Sequence, residues 1–347
     1  MQITSHLRKF ITATALSAAA LGASAADNMP AMPQIHGVLR TRLEMTTTDP
    51  VEYRFQVRYA RLSLGGDIGP SVKYFVQTDL CDQGKIKILD VWSRIALAPG
   101  LYIQAGQFRM PFGVETFMAP SNYVFSNRSF IGKQMCNYRA VGAKLAYTLP
   151  SAPLLLEAGV FNPRAIGDHN VWQKRVAASG KATFTPGPMT FSAGIASLTP
   201  DSVRANLFDL SAGFSHNRWQ ARAEYMYEHY TGNAHPDSHG WALWADYHFP
   251  IKAGIFNTMS VQGRYDGLTN HASLASAPVN SPGQPLRLAT TSPTRNRITA
   301  GVTMTAAISK SLAAEVHANY EHYMYHSDAI VAPGESSKAL LELVLRF

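Results

Sequence analysis

The sequence predicts an all-β protein, a transmembrane antiparallel up-and-down β-barrel for which sixteen strands are favoured. Three observations lead to this fold class. Apolar and polar residues alternate with a period of two along most of the chain. The connections between the alternating segments are alternately short and long, and the long ones are polar. One face of many segments carries ionised side chains.

The first 25 residues have the pattern of a secretory signal peptide. Arg8 and Lys9 precede an apolar run rich in small residues, and an Ala-Ser-Ala cleavage pattern ends at residue 25. The run is too short and too rich in Ala, Ser and Thr for a membrane-anchor helix. We therefore predict a signal peptide at 1–25 and one barrel domain at 26–347. Cleavage removes two basic residues and no acidic ones, which lowers the formal net charge from +8 to +6.

The alternation divides the exported chain into sixteen candidate strands. In residues 218–230, for example, Trp219 and Tyr225 share one face while Arg222 and Glu224 share the other. Each strand with its connection takes about twenty residues, which suits membrane-spanning strands of about 9–11 residues. The segments lie at 34–46, 51–66, 71–81, 86–97, 101–109, 138–148, 153–161, 174–185, 189–197, 206–215, 218–230, 240–249, 257–267, 295–308, 311–325 and 338–347.

The connections sort by length. Even-numbered segments end in short turns such as APG, TPGP, SHN and SKS, whereas most odd-numbered ones end in long polar loops. Short turns at one end and long loops at the other are typical of outer-membrane barrels, and a soluble β-sandwich would give no reason for this parity. The long loops are 110–137, 162–173, 268–294 and 326–337.

The polar face is the stronger indication of a membrane barrel. Burying many charges in a protein interior would be prohibitive, but a water-lined lumen can hold them while the apolar face meets lipid. The two YEHY stretches end upward strands, which suits an external aromatic girdle, although chance placement of strand aromatics is the alternative. The charged residues on this face are Arg40, Arg42, Glu44, Arg58, Lys73, Asp90, Arg94, Arg222, Glu224, Arg264, Arg297, Glu315 and Arg346.

The last segment, LELVLRF, alternates up to Phe347. Chain ends fray unless they are held, so an alternating strand at the terminus predicts pairing on both sides. We therefore expect the last strand to pair with the first, which would close the sheet and leave no edge.

Residues 51–145 resemble the phosphate-selective porin family, porins O and P. The resemblance rests on the stretches FQVRYARLSLGGDIGPSVKYFVQTDL, LDVWSRIAL, LYIQAGQFRMPFGVET, SNYVFSNRSFIGK and YRAVGAKL, of which GQFRMPFG is the most distinctive. It implies a sixteen-stranded, commonly trimeric porin whose long third external loop folds into the lumen. The terminal Phe347 also resembles the signal that the outer-membrane insertion machinery reads.

The resemblance and the strand count together predict the functional residues. The third external loop, about 110–137, would narrow the pore, and a 28-residue connection calls for a function. The residues of this loop that we expect to form the constriction are Pro111, Phe112, Glu115 and Arg128. The residues expected to line the pore and contact anions are Arg40, Arg42, Arg58, Arg61, Lys73, Arg94 and Arg109.

Two alternatives stay open for the basic residues. Arginines on a pore wall attract anions, but they could instead pair with Glu44, Asp79 or Asp90 and only stiffen the wall. Arg58 and Arg61 share a face only if the strand bulges between them. The expected function is passive diffusion of small hydrophilic solutes, with anion or phosphate preference as its narrower form.

The remaining chemistry is sparse. Cys81 and Cys136 both fall at the external end, where an exported chain could bridge them; two free thiols are the alternative. The twelve histidines show no zinc-site spacing, and no catalytic or phosphate-loop motif occurs, so we expect no metal, cofactor, nucleic acid or catalysis. The expected partners are outer-membrane lipid, the insertion machinery, copies in a homotrimer and small anionic or hydrophilic solutes. An adhesion or structural barrel is the competing class.

Overall fold

The computed structural model describes residues 32–82, 85–163, 172, 174–199, 203–273, 289–309, 311–325 and 334–347. The predicted signal peptide lies outside these residues. Within them, sixteen strands form one closed antiparallel barrel, which confirms the predicted fold class. A separate two-stranded sheet lies between the thirteenth and fourteenth barrel strands. No helix in the described ranges is long and apolar enough to span a membrane.

The barrel consists of β1 (Gln34–Thr46), β2 (Tyr53–Ile68), β3 (Val72–Asp82), β4 (Lys85–Ala98), β5 (Leu101–Arg109), β6 (Arg139–Thr148), β7 (Leu154–Phe161), β8 (Ala177–Phe184), β9 (Met189–Leu198), β10 (Ala205–His216), β11 (Trp219–Tyr230), β12 (Ser238–Ala253), β13 (Phe256–Leu268), β16 (Arg295–Ala307), β17 (Ala313–Tyr325) and β18 (Lys338–Arg346). The small sheet is β14 (His271–Ser273) with β15 (Ala289–Ser292). Each barrel strand corresponds to one predicted segment.

Two details differ from the prediction. The pattern predicts one loop at 268–294, whereas the structure places the small hairpin β14–β15 within it. The pattern also predicts that the twelfth strand ends at residue 249, ahead of Pro250. The strand instead continues to Ala253, with a register shift between Pro250 and Ala253. A bulge of this kind accommodates a proline, which cannot donate to the ladder.

The two faces of the sheet have the predicted polarity. On β1 the side chains of Arg40 and Arg42 are buried, while the apolar Leu39 and Met45, on the opposite face, are 36% and 43% exposed. Glu224, Arg264 and Arg297 are likewise buried on the inner face. The outward, exposed apolar residues include Val57, Leu62, Val76, Ile95, Leu145, Ile195, Leu210, Leu243, Val261, Ile298, Leu341 and Leu343. The apolar surface therefore faces the surroundings of the barrel, as a lipid-spanning wall requires.

The chain terminus closes the barrel. β18 pairs antiparallel with β1 on one side and with β17 on the other. The Gly37 amide donates to the Phe347 carbonyl at 2.8 Å, and the Phe347 amide donates back at 3.1 Å. A Cβ atom on Gly37 would overlap the Phe347 ring. The terminal aromatic ring is thus packed over a glycine of the first strand, and the sheet of the barrel has no open edge.

A β-bulge in β2 decides where its arginines point. Arg40 pairs with Tyr59 and Thr41 pairs with Val57, so Arg58 is the extra residue. The guanidinium carbon of Arg58 lies 4.7 Å from the centre of the Tyr59 ring, and that of Arg61 lies 4.5 Å from it. The bulge therefore places Arg58 and Arg61 on the same side of the sheet, which strict alternation would forbid.

Glycine in the GQF stretch permits a close approach of two strands. Gly106 has φ +132°, and a Cβ atom there would overlap the Val91 carbonyl and the backbone of Trp92 on β4. Glycine adopts this backbone conformation without the steric cost that a side chain would add. The approach fixes Trp92 against β5 on the inner wall.

Candidate functional site

The connection between β5 and β6 lies inside the barrel. The Arg40 guanidinium of β1 donates to the Pro120 carbonyl at 2.8 Å. On β17 and β13, a short way round the barrel from β1, the Ser126 amide donates to the Asn319 side chain at 2.7 Å, and the Phe130 amide donates to the Asp266 carboxylate at 2.9 Å. The segment begins at β5, which lies opposite β13 in the closed ring of strands, so these bonds show that it crosses the lumen. We call residues 110–138 the inner loop.

An apolar cluster holds the ends of the inner loop. Phe112 and Phe130 are each 2% exposed, and Pro111 is buried beside them. They pack with apolar side chains that point inward from the wall, including Met226 and Leu268. The alternation alone does not predict this cluster, because it assigns the whole inner face to water. The signal was present, since both wall residues occupy inward positions of otherwise polar faces.

Glu115 acts within the loop. Its carboxylate accepts hydrogen bonds from the Ser129 amide at 3.0 and 3.1 Å and from the Ser129 hydroxyl. Glu224 of β11 accepts the Val114 amide at 2.7 Å. Carboxylates that satisfy backbone amides in this way fix an irregular segment. Glu115 therefore braces the loop and does not present an open charge to solutes.

A buried ion cluster ties the centre of the inner loop to the wall. Arg297 contacts Asp266 at 2.8 Å and Glu321 at 3.2 Å, and Arg264 lies 3.3 Å from Asp266. All four side chains are at most 3% exposed. Arg264 also donates to the Asn127 carbonyl at 2.8 Å, and Arg297 donates to the Arg128 carbonyl at 2.7 Å. The cluster couples β13, β16 and β17 to the loop backbone.

Four of the predicted anion-contacting residues are paired with carboxylates. Arg40 contacts Glu342, and Arg42 lies 3.1 Å from Glu44. Arg61 lies 3.1 Å from Asp79, and Lys73 lies 3.0 Å from Asp67. Arg40 is fully buried beneath the inner loop, so it holds the loop instead of lining open water. The geometry of these four residues agrees with the alternative in which the basic residues stiffen the wall. A neutral ion pair contributes little net electric field to the lumen.

Three other predicted residues, and Arg128 of the loop, contact no carboxylate in the described part of the chain. Arg58 stacks on Tyr59, and Arg128 donates to the Asn137 side chain at 3.2 Å. The buried Arg109 Nε has no hydrogen-bond partner there, and this side chain experiences the positive charges of Arg61, Arg128 and Arg139. We call Arg58, Arg109 and Arg128 the arginine group. Arg94 lies elsewhere, on the inner face of β4.

Tyrosines link the arginine group to the inner loop. The Tyr59 ring of β2 meets the Tyr123 ring of the loop edge to face, with centroids 6.3 Å apart. Arg58 lies over the first ring, and Arg40 lies 5.3 Å from the centre of the second. Aromatic faces attract cations through the ring quadrupole. The tyrosines therefore hold these like charges together without neutralising them.

The two cysteines are free thiols, which corrects the possible disulfide. The Cys136 side chain lies beside Gly113 and Met226 in the apolar cluster, on the β11 side of the barrel. Its thiol donates to the Ile131 carbonyl at 3.3 Å. Cys81 is at the external end of β3, with its sulfur 3.8 Å from the Val57 carbonyl. The loop fold that buries Cys136 directs it away from the β3 wall.

The cysteine arrangement predicts selective alkylation. Burial raises the pKa of the Cys136 thiol well above its ordinary value, so this group is both inaccessible and protonated at neutral pH. In the folded protein, a maleimide should label Cys81 equally with and without reductant, and it should label Cys136 only after unfolding. Cys81→Ser and Cys136→Ser variants assign the two signals by mass spectrometry. If Cys81 is labelled only after reduction, the result would contradict free thiols and support a disulfide between Cys81 and Cys136.

Comparison with known proteins agrees with this architecture. Residues 41–206 match the family described as phosphate-selective porin O and P. OmpF of Salmonella typhi, in complex with daunomycin, superposes with a TM-score of 0.64 at 14% identity, covering 91% of this chain and 97% of that one. The outer membrane channel DcaP of Acinetobacter baumannii gives 0.56 at 12% identity, covering 93% and 99%. The trimer form of OmpT from Vibrio cholerae gives 0.57 at 11%, covering 91% and 98%.

A search of curated proteins gave no match. The solved structures share the fold at identities too low to carry more than architecture. The family match is independent of them and spans the GQF stretch, the inner loop and the bulged strand β2. Together with the outward apolar face and the closed sheet, the match leads to one conclusion: this chain is an outer-membrane porin whose residues 41–206 match the phosphate-selective porin O and P family.

Proposed function

We propose that this porin passes small hydrophilic solutes by passive diffusion and prefers anions. The observation that carries the preference is the arginine group, whose three guanidinium groups contact no carboxylate among the described residues. An aqueous passage between low-dielectric walls focuses the field of such charges. An anion that enters the passage is then stabilised, whereas a cation is repelled.

The inner loop supports the same proposal by narrowing the passage. Its backbone is bound to β1, β13, β16 and β17, so it divides the lumen instead of hanging from the rim. Arg128 belongs to the loop itself, while Arg58 belongs to the facing strand β2. Solutes that pass between the loop and β2 therefore meet positive charge on both sides. No bound cofactor or catalytic step is needed for this role.

We also propose a homotrimer as the assembled form. The support is the fold shared with porins such as OmpT of Vibrio cholerae, one structure of which is described as a trimer form. Cross-linking of the purified protein in mild detergent, followed by mass determination, tests this assembly separately from conduction.

A salt gradient across a planar bilayer tests the proposed function. With purified protein and potassium chloride at unequal concentrations, the zero-current potential should have the sign expected for chloride moving faster than potassium. A potential of the opposite sign would overturn the anion preference while leaving the pore intact. A bilayer that stays silent after insertion would favour an adhesion or structural barrel. Replacing chloride with phosphate then tests the narrower phosphate preference.

A further inference from the structure

We propose that the inner wall of β3, β4 and β5 carries a binding site for aromatic carboxylates, formed by Phe75, Trp92, Arg94 and Tyr102. The inference rests on the proposed pore function, because the solute must enter the lumen to reach this wall. It adds a ligand class that the arginine group does not specify. The site is separate from the inner-loop contacts described above.

Register places the four side chains on the same face. Lys73 pairs with Arg94 and Phe75 pairs with Trp92 across β3 and β4. Gln77 and Asp79 follow on this face of β3, and Asp79 contacts the inward Arg61. The face is therefore the inner one. Trp92, Arg94, Phe75 and Tyr102 are all only partly buried, so each presents surface to the lumen.

The four side chains form one row of ring and guanidinium contacts, which we call the stack. The Phe75 and Trp92 rings are stacked with centroids 5.4 Å apart and an interplanar angle of 23°. The Arg94 guanidinium carbon lies 4.9 Å from the centre of the Trp92 ring and 4.1 Å from that of Tyr102. Contacts with two rings restrict the guanidinium, which preorganises it for a ligand.

The donors of Arg94 are only partly used. Its Nε and Nη2 atoms donate to the Gln104 side-chain oxygen at 3.2 and 2.8 Å. In the described part of the chain, Nη1 has no hydrogen-bond partner and no carboxylate contacts this arginine. A planar guanidinium binds a carboxylate through two parallel N–H donors, and Nη1 keeps its donors for such a ligand. Arg94 therefore suits an oxyanion better than the paired Arg61 does.

The aromatic rings decide which oxyanion fits. A porin lumen is normally polar, so partly exposed Phe and Trp rings on its wall are unusual. Among the described residues, no ring or cation covers the second face of Phe75, which lies at the end of the stack. Lys73, two residues away on the same face, is paired with Asp67, so Arg94 supplies the positive charge of the site. A solute with an aromatic ring and a carboxylate can use both features at once.

Block of the chloride current by small carboxylates tests the site. Benzoate should reduce the current through the wild-type pore at roughly threefold to tenfold lower concentration than cyclohexanecarboxylate, because offset aromatic pairs favour a flat ring. Acetate, which carries the charge alone, should block least. Trp92→Leu should remove the advantage of benzoate, and Arg94→Gln should weaken block by both ring acids. Equal block by benzoate and cyclohexanecarboxylate in the wild type would overturn the proposal.

A matched control uses the same substitution on another wall. Trp244 of β12 also contacts an arginine, Arg222, at 5.7 Å, but it lies outside the stack. Trp244→Leu should leave benzoate block unchanged, and a loss equal to that of Trp92→Leu would also overturn the site. Migration of unheated and heated samples in SDS gels verifies that each variant folds.

Equilibrium binding separates this site from the pore function. Saturation-transfer NMR of benzoate with the full protein in detergent micelles needs no conduction. The signal should weaken in Trp92→Leu and Arg94→Gln and persist in Trp244→Leu. A silent bilayer with this binding pattern would refute the pore proposal alone. A conducting pore without the pattern would refute the aromatic site alone.

Discussion

Asp266→Ala should both destabilise the barrel and widen the pore. The carboxylate of Asp266 accepts hydrogen bonds from Arg297 and from the Phe130 amide and lies 3.3 Å from Arg264. Its removal leaves two buried guanidinium groups short of a partner. Breaking a buried pair from one side typically costs about 3–5 kcal/mol. The free energy of unfolding, measured by urea titration in lipid vesicles, should fall by about this amount.

The same variant should change conduction. Without Asp266 the Phe130 amide loses its hydrogen bond to β13, and Arg264 and Arg297, which hold the loop carbonyls of Asn127 and Arg128, lose a shared carboxylate. The loop should then leave its place in the lumen part of the time, so single-channel conductance should rise and current noise should increase. The structural and functional readouts test one physical claim, that the ion cluster holds the loop in the passage.

Asp67→Ala is the matched control for Asp266→Ala. Asp67 also pairs with a cation, Lys73, but both side chains are about half exposed. Exposed pairs contribute about 0–1 kcal/mol, so unfolding and conductance should barely change. If Asp266→Ala lowers stability no more than Asp67→Ala, the buried cluster does not anchor the loop.

Combined Arg58→Glu and Arg128→Glu substitutions should turn the anion preference into a cation preference. Arg58 belongs to β2 and Arg128 to the inner loop, and neither contacts a carboxylate in the described residues. A unit charge changes the energy of an ion 4 Å away by about 1 kcal/mol even in bulk water. Reversing two charges should therefore change the anion-to-cation permeability ratio at least about tenfold. The zero-current potential in a salt gradient measures this ratio.

Arg204→Glu with Lys252→Glu provides the same change in net charge away from the passage. Arg204 donates to the outward Ser197 at the external end of the wall, and Lys252 is exposed near the opposite end of β12. Salt screens exposed charges beyond about 8–10 Å, so this pair should leave selectivity close to wild type. An equal effect of both double variants would assign selectivity to net charge and not to the arginine group.

Much of the architecture could be predicted from the sequence because strand periodicity is local. In β11 the alternation of Trp219, Ala221 and Ala223 with Arg222 and Glu224 already separates the two faces. The side-chain period of a strand is two, whatever its neighbours are. Connection length then distinguishes the two ends of the barrel, and the alternating terminus at Phe347 predicts closure.

The site could be predicted only in part. From the sequence, Arg58 and Arg61 can share a face only if the strand bulges between them. The register of β1 with β2 shows that this bulge occurs. Nothing local indicated that Glu115 would turn back onto Ser129 or that Cys136 would enter the apolar cluster. An irregular loop has no period from which contacts between distant residues could be read.

Some arginines are neutralised by a carboxylate and others keep their net charge in the passage. The difference depends on distances between strands that are far apart in the chain. Arg40 meets Glu342, 302 residues away, while Arg58 and Arg94 meet only polar or aromatic groups in the described residues. By itself the sequence determined the class of fold, the outward and inward faces and the closing strand, because these follow from local alternation. The tertiary structure decided the path of the inner loop, the pairing of the charges and the aromatic stack, because these depend on the register between strands.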